Sequence, residues 1–303
     1  MLPLLLPWIA IALVLAAFIL LLCKKWRIGV LLIVLAIVVN WWSECIPFRL
    51  WPICEKAGFR SISVFAFNIN TTSGYISEKV NKLVCIIEKN NPDVIYFSEL
   101  STPNRLFLDT SLSKDYPYTL FGHFHVFYSK YPLVERMMSG KEDILNGDVI
   151  KCQTIVGNDT IAFRGCHLAS NNYTVESKYI TPDSINSCNA FIQYVNDINL
   201  ASSQREKEVD ELAREVSQMK KPVIVLGDMN DVGGSKSIRQ LEKSGLKDAW
   251  WEGGFGYGAT IHKPLPYRID HILYSSHFKL NNVRVISSKG LSDHDAVFAE
   301  FSY

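Results

Sequence analysis

The chain has 303 residues, of which 48% are hydrophobic and 20% are charged, so its composition is that of a globular protein with room for one or two domains. Its 31 basic and 30 acidic side chains leave a formal net charge of +1. Nucleic-acid-binding chains usually show a basic stripe, and none is visible here, so charge lends no support to that function. A basic patch assembled from distant residues stays open.

The first 44 residues predict a transmembrane hairpin. Residues 2–22 carry no charge and are long enough to cross a bilayer at about 1.5 Å per residue. A second apolar run, residues 28–42, ends in two tryptophans that suit a membrane interface. No basic segment precedes the first run and no small-residue cleavage site follows it, which argues against a signal peptide. We therefore expect transmembrane helices at about 2–22 and 26–42, with a buried core helix as the alternative for the shorter second run.

Charges near the membrane predict the orientation of this hairpin. Three basic residues lie in its tight loop, KKWR (24–27), and the positive-inside rule places that loop in the cytoplasm. The domain that begins near residue 60 would then be periplasmic or extracellular. If only the first run crosses, this orientation inverts. In an oxidising compartment the linker of residues 45–59 could hold a Cys45–Cys54 disulfide, whereas the alternative is that all seven cysteines are buried thiols.

Residues 60–303 alternate between strand and helix patterns, and we expect them to form one domain. In chain order the expected elements are a strand at 61–69, a helix at 76–90, a strand ending in Glu99, a hairpin at 118–129, a hairpin at 148–168, an irregular stretch with some helix at 169–202, a helix at 202–219, a strand at 222–226, a helix at 235–243, and strands at 268–275, 280–287 and 295–303. Mixed elements with several hairpins favour an α/β (α+β) domain with two packed sheets over a doubly wound dinucleotide fold.

Residues 222–231, PVIVLGDMND, join a buried-strand pattern to a cluster of polar groups. Asp228, Asn230 and Asp231 follow the apolar run directly. Polar side chains at the tip of a buried strand are held rigidly, as catalytic groups require, although Gly, Asp and Asn also form ordinary turns. This stretch alone leaves both interpretations open.

Other predicted strands end in polar residues of the same kind. Each has a structural explanation when taken singly, such as a strand-end cap, a satisfied core histidine or an aspartate paired with Arg268. Together they form a set of carboxylates, amides and imidazoles that suits Mg²⁺ or Mn²⁺ better than zinc. The set comprises Asn68, Glu99, His167, Asp228, Asn230, Asp270, Asp293 and His294.

Six motifs occur in the order, and near the spacing, of one superfamily. They are FAFNI, PDVIYFSEL, GCHL, GDMND, YRIDHIL and LSDHDAV, and they lie within residues 61–303. By these motifs the chain resembles the endonuclease/exonuclease/phosphatase superfamily of metal-dependent phosphoesterases. The resemblance implies a four-layer sandwich of two packed mixed sheets flanked by helices, here preceded by the two transmembrane helices. It also implies hydrolysis of a phosphodiester or a phosphomonoester.

The same resemblance implies a site for Mg²⁺ or Mn²⁺. Glu99 would hold the ion, helped by Asn68 and Asp293. A divalent ion in such a site polarises a phosphoryl oxygen and neutralises the charge that develops there.

The resemblance also implies catalytic roles for the remaining members of the set. Asp228 would orient or deprotonate the attacking water, with Asn230 fixing its position. His294, paired with Asp270, would donate to the phosphoryl oxygens, and His167 would bind another non-bridging oxygen. An aspartate paired with a histidine makes chemical sense because the carboxylate fixes the ring tautomer and stabilises the imidazolium. Which group is the general base stays open.

Two departures from the family pattern are visible. Ser98 stands where the family often has Gln, and PYRID (266–270) replaces the Trp-Cys-Asp-Arg stretch of inositide 5-phosphatases, which argues against that activity. Nucleic acid, phospholipid and small phosphates stay open as substrates, and we expect a monomer. The alternative function is a catalytically inactive, membrane-tethered binding module of the same fold. The other histidines are expected to be structural or on the surface, and they are His123, His125, His262, His271 and His277.

Overall fold

The computed structural model describes seven stretches of the chain, residues 2–48, 60–70, 77–122, 124–139, 148–170, 188–262 and 265–303. Within them, two six-stranded mixed sheets pack face to face between two layers of helices. This arrangement confirms the predicted four-layer sandwich. Two apolar helices, α1 (Leu2–Leu22) and α2 (Trp26–Ser43), precede it.

The first sheet has the strand order β11-β12-β1-β2-β4-β3. Strands β1 and β2 are parallel neighbours at its centre, and β12 runs antiparallel to β1. Its strands are β1 (Ser61–Asn68), β2 (Val94–Ser98), β3 (Tyr118–Phe121), β4 (Val126–Ser129), β11 (Lys279–Ile286) and β12 (Ala296–Ser302).

The second sheet has the order β5-β6-β7-β8-β10-β9. Strands β7 and β8 are parallel, and β10 runs antiparallel to β8. Its strands are β5 (Leu133–Ser139), β6 (Asp148–Val156), β7 (Asp159–His167), β8 (Val223–Asp228), β9 (Leu246–Asp248) and β10 (Asp270–Ser275).

Helices cover the outer faces of both sheets. Helices α3 (Ser77–Asn90) and α4 (Thr102–Leu112) lie on the first sheet, and α5 (Cys188–Gln218) and α6 (Lys236–Lys243) lie on the second. A one-turn helix, α7 (Ala249–Gly253), follows β9. Because both faces of each sheet are covered, β2 and β8 are buried along their whole length, as their uninterrupted apolar runs indicate.

Two elements differ from the expected ones. The helix expected at 202–219 begins earlier, at Cys188, so the helical part expected within 169–202 is the first half of this helix, and residues 171–187 lie outside the described residues. Strand β5 was not expected from the sequence. Its sequence, LVERMMS, has two charged residues and two methionines and lacks the β-branched and aromatic residues that are typical of strands, apart from one valine. The two hairpins turning at Gly122 and Gly157 are confirmed.

Helices α1 and α2 form an antiparallel hairpin and are long and apolar enough to cross a membrane. They expose large side chains to their surroundings, among them Phe18, Leu22, Leu31 and Trp41. A soluble core helix would bury such residues, so this observation disfavours the core-helix alternative. Cys45 is a free, buried thiol in this structure, which agrees with the free-thiol alternative for this residue, and Cys54 lies outside the described residues.

Candidate functional site

Five strands bring the predicted polar residues to one edge of the two sheets. Asn68 ends β1 beside the end of its parallel neighbour β2, and Glu99 follows β2 directly. In the second sheet, His167 of β7 and Asp270 of β10 each lie opposite Asp228 of β8. The site is therefore assembled from the ends of central strands of both sheets, where the backbone is firmly held.

A glycine directly before Asp228 lets the two sheets approach closely at this edge. Gly227 has φ +126°, and a Cβ there would overlap the Cys166 carbonyl oxygen and lie 2.6 Å from the Tyr96 ring. A Cβ at Gly165 would overlap the same ring. The Tyr96 side chain of the first sheet thus lies directly on the backbone of the second, which only glycine permits.

The Asn68 amide links the two acids that come from different sheets. Its Nδ2 donates to Glu99 Oε1 at 2.9 Å and to Asp228 Oδ2 at 2.9 Å. Both hydrogen-bonding protons of this amide are therefore committed to carboxylates. The arrangement holds two negative groups close together, as a divalent cation requires.

Glu99 is partly open to solvent and is hydrogen-bonded to His167. The His167 Nε2 lies 3.1 Å from Glu99 Oε1. Burial alone would raise the pKa of Glu99, but the hydrogen bonds and charge of His167, together with the Asn68 amide, lower it to about 2. Burial likewise opposes the charged form of His167, and the Glu99 hydrogen bond with the Asp228 charge still raises the pKa of that ring. Glu99 is thus ionised over the physiological range.

The second half of the site is a buried aspartate–histidine pair. His294 Nδ1 lies 2.8 Å from Asp270 Oδ2, and both residues are buried. Burial opposes the charged ring, but Asp270 and then Asp228 raise the pKa of His294 to about 10. His294 Nε2 lies 3.8 Å from Asp228 Oδ2, which is too long for a hydrogen bond. This nitrogen can therefore donate to another group.

Asp228 lies between the two halves and is itself fully buried. Burial, and then the charge of Asp270, raise its pKa above the ordinary value. The Asn230 backbone N–H donates to Asp228 Oδ1 at 2.8 Å, and the Asn230 Nδ2 donates to the Leu168 carbonyl at 2.9 Å. Asn230 adopts φ +50°, a left-handed conformation that asparagine tolerates well. Asn230 therefore fixes the Asp228 carboxylate.

Asp293 is the predicted residue that lies outside this cluster of contacts. It is exposed, and its Oδ1 accepts from Asn70 Nδ2 at 2.8 Å. The neighbouring Ser292 instead ties the first sheet to the site, because its Oγ donates to the Asn68 carbonyl and accepts from the His294 N–H. A metal-binding role for Asp293 stays a prediction.

Sequence reasoning missed the pair formed by Tyr96 and His125. The Tyr96 hydroxyl lies 2.6 Å from His125 Nδ1, and the His125 ring centroid is 6.4 Å from that of His167. His125 is buried, which agrees with its expected structural role. Its position beside the site depends on the pairing of β2 with β4, and no local sequence pattern reports it.

The donor set fits a hard divalent cation. Among the described residues, ligand atoms of Glu99, His167 and Asp228 lie within 4.8 Å of one another, and so do those of Asp228, Asp270 and His294. Carboxylate oxygens dominate both groups, which is the chemistry that Mg²⁺ and Mn²⁺ favour. Asp270 Oδ1 is also buried without a hydrogen-bond partner within the described residues, which is compatible with a further polar or cationic group at this edge.

Comparisons with known proteins support this fold. The sequence model of the Endonuclease/Exonuclease/phosphatase family matches residues 66–294. A crystal structure of humanized TDP2 from D. rerio superposes with a TM-score of 0.63 at 15% identity, covering 80% of this chain and 99% of that one. No curated protein sequence matches the chain.

Two further solved structures have the same fold. TDP2 from D. rerio in complex with a single-stranded DNA product has a TM-score of 0.61 at 14% identity, covering 80% of this chain and 99% of that one. An endonuclease/exonuclease/phosphatase family protein from Leptotrichia buccalis has a TM-score of 0.56 at 14% identity, covering 80% and 100%. At these identities the likeness concerns the fold alone.

Proposed function

The chain belongs to the endonuclease/exonuclease/phosphatase family, and from that premise we propose that it is a membrane-anchored, divalent-metal-dependent phosphoesterase. One observation carries the proposal. The Asn68 amide bridges Glu99 and Asp228 at 2.9 Å each, next to a buried histidine whose second nitrogen has no hydrogen-bond partner within the described part of the chain. Two linked carboxylates and a charged imidazole together provide a place for a cation and for a phosphoryl group.

Glu99 and Asn68 are the residues that would hold Mg²⁺ or Mn²⁺, with Asp293 able to contribute from the rim. A bound ion of this kind neutralises the charge that develops on the phosphoryl oxygens. The low pKa of Glu99 keeps its carboxylate available as a ligand at neutral pH. The Asn68 amide holds that carboxylate in place, which reduces the reorganisation needed when a cation binds.

Asp228 is our candidate for the group that orients or deprotonates the attacking water. The Asn230 N–H fixes one of its oxygens, and Asn68 fixes the other, so the carboxylate has one orientation. Its raised pKa makes it a better proton acceptor than an ordinary aspartate. A carboxylate held in this way would orient a water for attack on the phosphorus of a bound substrate.

His294 and His167 are the groups that would stabilise the phosphoryl oxygens. Asp270 keeps His294 charged and directs its Nε2 towards Asp228, where the reacting group would lie. A preorganised charged donor of this kind stabilises negative charge that develops in the transition state. His167 contributes a second donor on the Glu99 side.

The membrane hairpin is the second part of the proposed function. We propose that both α1 and α2 cross the bilayer, with Lys24 and Lys25 in the cytoplasm and the catalytic domain in the periplasm or outside the cell. Alkaline phosphatase fused after Tyr303 is expected to be active, because it folds productively only outside the cytoplasm. An active cytoplasmic fluorescent protein at the same position would mean that α2 does not cross.

The proposed activity is tested with the full-length protein purified in detergent. Bis-nitrophenyl phosphate, a single-stranded oligonucleotide and phospholipid are offered separately with Mg²⁺, with Mn²⁺ and with EDTA. We expect turnover of at least one substrate with metal and none in EDTA. Turnover that persists in EDTA contradicts the metal-dependent mechanism, and no turnover on any substrate favours the inactive binding module.

A further inference from the structure

The membrane hairpin is docked onto the segments that carry the catalytic residues. Leu4 of α1 is buried in a cluster with Val232, Ile261 and Tyr267 of the catalytic domain. Trp8, one turn further along α1, meets the Tyr267 ring edge-on, with centroids 6.4 Å apart. The first two turns of α1 are thus part of the domain's apolar packing.

The end of α2 lies against the backbone that follows the catalytic loop. A Cβ at Gly233 would lie 2.7 Å from the Glu44 carbonyl oxygen. A Cβ at Gly234 would overlap the Ser43 carbonyl oxygen. Gly234 also has φ +71°. The Arg239 guanidinium donates to the Trp42 carbonyl. Two consecutive glycines therefore admit the hairpin at a distance that side chains would not allow.

These docking segments are continuous with the site. Val232 and Gly233 follow Asp228 and Asn230 within a few residues. Ile261 forms an isolated β-bridge with His294, so the residue that packs on Leu4 also pairs with the catalytic histidine. The site therefore lies next to the end of the hairpin, which is where a spanning hairpin leaves the bilayer.

Exposed apolar side chains lie near this junction. Leu265 is 46% exposed and lies two residues from Tyr267. Phe48 and Phe255 contact each other and are both exposed. We call Phe48, Phe255 and Leu265 the collar, and apolar residues around a membrane exit suit insertion among lipid head groups and upper acyl chains.

An apolar groove on the hairpin reaches the same end. It has a volume of about 400 Å³ and lies between α1 and α2, with Ala10, Ile33, Ala36 and Phe48 among its lining residues. Phe48 belongs to the collar, so the groove runs from inside the expected bilayer to the junction. An acyl chain lying in it has its head group at the level of the catalytic domain.

From this placement we infer that the substrate is the phosphodiester head group of a phospholipid in the leaflet around the hairpin. The inference rests on the proposed phosphoesterase function and names its substrate class. The water oxygen bonds to phosphorus as one P–O ester bond breaks. One water proton ends on the oxygen of the released alcohol, and the other stays with the phosphomonoester product.

The test uses the full-length protein reconstituted into vesicles of equal parts phosphatidylcholine, phosphatidylethanolamine and phosphatidylglycerol, with Mg²⁺. Products of phospholipid hydrolysis are measured by mass spectrometry, and bis-nitrophenyl phosphate and a single-stranded oligonucleotide are assayed in the same preparation. We expect hydrolysis of phospholipid and of bis-nitrophenyl phosphate. Oligonucleotide hydrolysis without phospholipid hydrolysis overturns the inference and assigns the site to nucleic acid.

A pair of variants tests the placement itself. Phe255→Ser combined with Leu265→Ser removes two of the three collar residues, and we expect lipid turnover to fall about fivefold to tenfold, while bis-nitrophenyl phosphate turnover is unchanged. Leu106→Ser is the matched control, because Leu106 is 57% exposed on α4, in the helical layer over the other sheet. Equal lipid turnover in the collar variant and the control overturns the inference.

The two proposals fail in different ways. Bis-nitrophenyl phosphate hydrolysis without phospholipid hydrolysis leaves the phosphoesterase function standing and rejects the lipid substrate. Failure on all three substrates rejects both.

Discussion

Two aspartate–histidine pairs lie back to back on the same strand of this protein. Asp270 and His271 are consecutive residues of β10, so their side chains lie on opposite faces of the sheet. Asp270 pairs with His294 at 2.8 Å, and His271 pairs with Asp248 at 2.7 Å. All of these residues are buried, and by distance alone the two pairs are equivalent.

The pairs differ in what surrounds them. In the Asp248–His271 pair, the second ring nitrogen lies 3.0 Å from the Asp231 carbonyl oxygen, and Arg268 contacts the aspartate at 2.7 Å. Both ring nitrogens are thus occupied by the protein. In the Asp270–His294 pair, the second nitrogen lies 3.8 Å from Asp228 and has no closer hydrogen-bond partner among the described residues. We propose that the partner of the second nitrogen separates a catalytic aspartate–histidine pair from a structural one.

We call the Asp248–His271 pair the closed pair, because both of its ring nitrogens have partners in the protein. Breaking it should have the largest effect on stability. Asp248 also caps α7 by accepting from the Trp250 N–H, and Arg268 and His271 share its other oxygen. Asp248→Asn leaves Arg268 buried without its charge partner, so we expect a loss of about 3 to 5 kcal/mol of unfolding free energy. Chemical denaturation measures it. Asp115→Asn, on an exposed residue, is the control and should change stability by less than about 0.5 kcal/mol.

The same variant should respond differently to acid. Although burial opposes ionisation, Arg268 and His271 hold the pKa of Asp248 far below 3.8. The folded state therefore binds a proton less readily than the unfolded state, so this stabilisation is present above about pH 4 and is lost as pH falls below it. Asp248→Asn should flatten the decline of stability in that acid range. A decline as steep as in the wild type would contradict this account of the closed pair.

Changing Asp228, beside the Asp270–His294 pair that we call the open pair, should affect activity far more than stability. Asp228→Asn removes the proposed water-positioning carboxylate, and we expect turnover to fall about a hundredfold or more. Burial and the Asp270 charge disfavour an ionised Asp228, whereas the amide loses one of the hydrogen bonds from Asn68 and the Asn230 N–H, so we expect these opposing effects to change the melting temperature by only a few degrees. Turnover near the wild-type rate would show that Asp228 is not part of the reaction.

A variant of Glu99 tests the proposed metal site through the Mg²⁺ requirement of the reaction. Glu99→Gln replaces a carboxylate with a poorer ligand for a hard cation, so we expect about a tenfold or larger increase in the Mg²⁺ concentration that gives half-maximal turnover. Glu88→Gln, on the exposed face of α3, is the matched control. An unchanged metal requirement in Glu99→Gln would remove this residue from the proposed metal site.

The smallest expected effect is a change in stability with pH caused by Glu242, whose carboxyl group lies near Glu44 of the hairpin and near Asp248 of the closed pair. Burial, and then the nearby Glu44 carboxylate, raise the pKa of Glu242 to about 8. The folded state holds a proton that the unfolded state has released between about pH 4.5 and 8, so stability should fall as pH rises across this range. Glu242→Gln cannot ionise, and we expect its melting temperature to exceed the wild type by a few degrees at pH 8, or about 1 kcal/mol, and to match it near pH 5. An equal difference in melting temperature at both pH values would contradict the raised pKa of Glu242.

Sequence reasoning recovered the open pair and missed the closed one for a physical reason. The open site collects residues at strand ends, and PVIVLGDMND shows such an end directly because a buried strand has an uninterrupted apolar run. The closed pair joins Asp248, His271 and Arg268 across the sheet, and only the folded register brings them together. Asp248 did carry one local signal, since an aspartate before AWWEG indicates a helix N-cap.

Elements held by tertiary contacts were the least predictable from sequence. The first half of α5 has a weak apolar period, and Leu4 gave no sign that α1 would pack on Val232 and Tyr267. The adjacent Gly233 and Gly234 allow the close approach of α2, which no local sequence pattern reports. Packing between distant segments overrides local preference in such places.

The most direct test of the account compares His294→Asn with His271→Asn in one assay. Turnover of bis-nitrophenyl phosphate with Mg²⁺ is measured per folded molecule, with the folded fraction taken from circular dichroism. We expect His294→Asn to lose about a hundredfold or more, since general acid–base and donor groups contribute about that much, and His271→Asn to retain the wild-type rate per folded molecule with a lower melting temperature. A wild-type rate in His294→Asn, or an equal loss in both variants, would contradict the assignment of the open pair as the catalytic one.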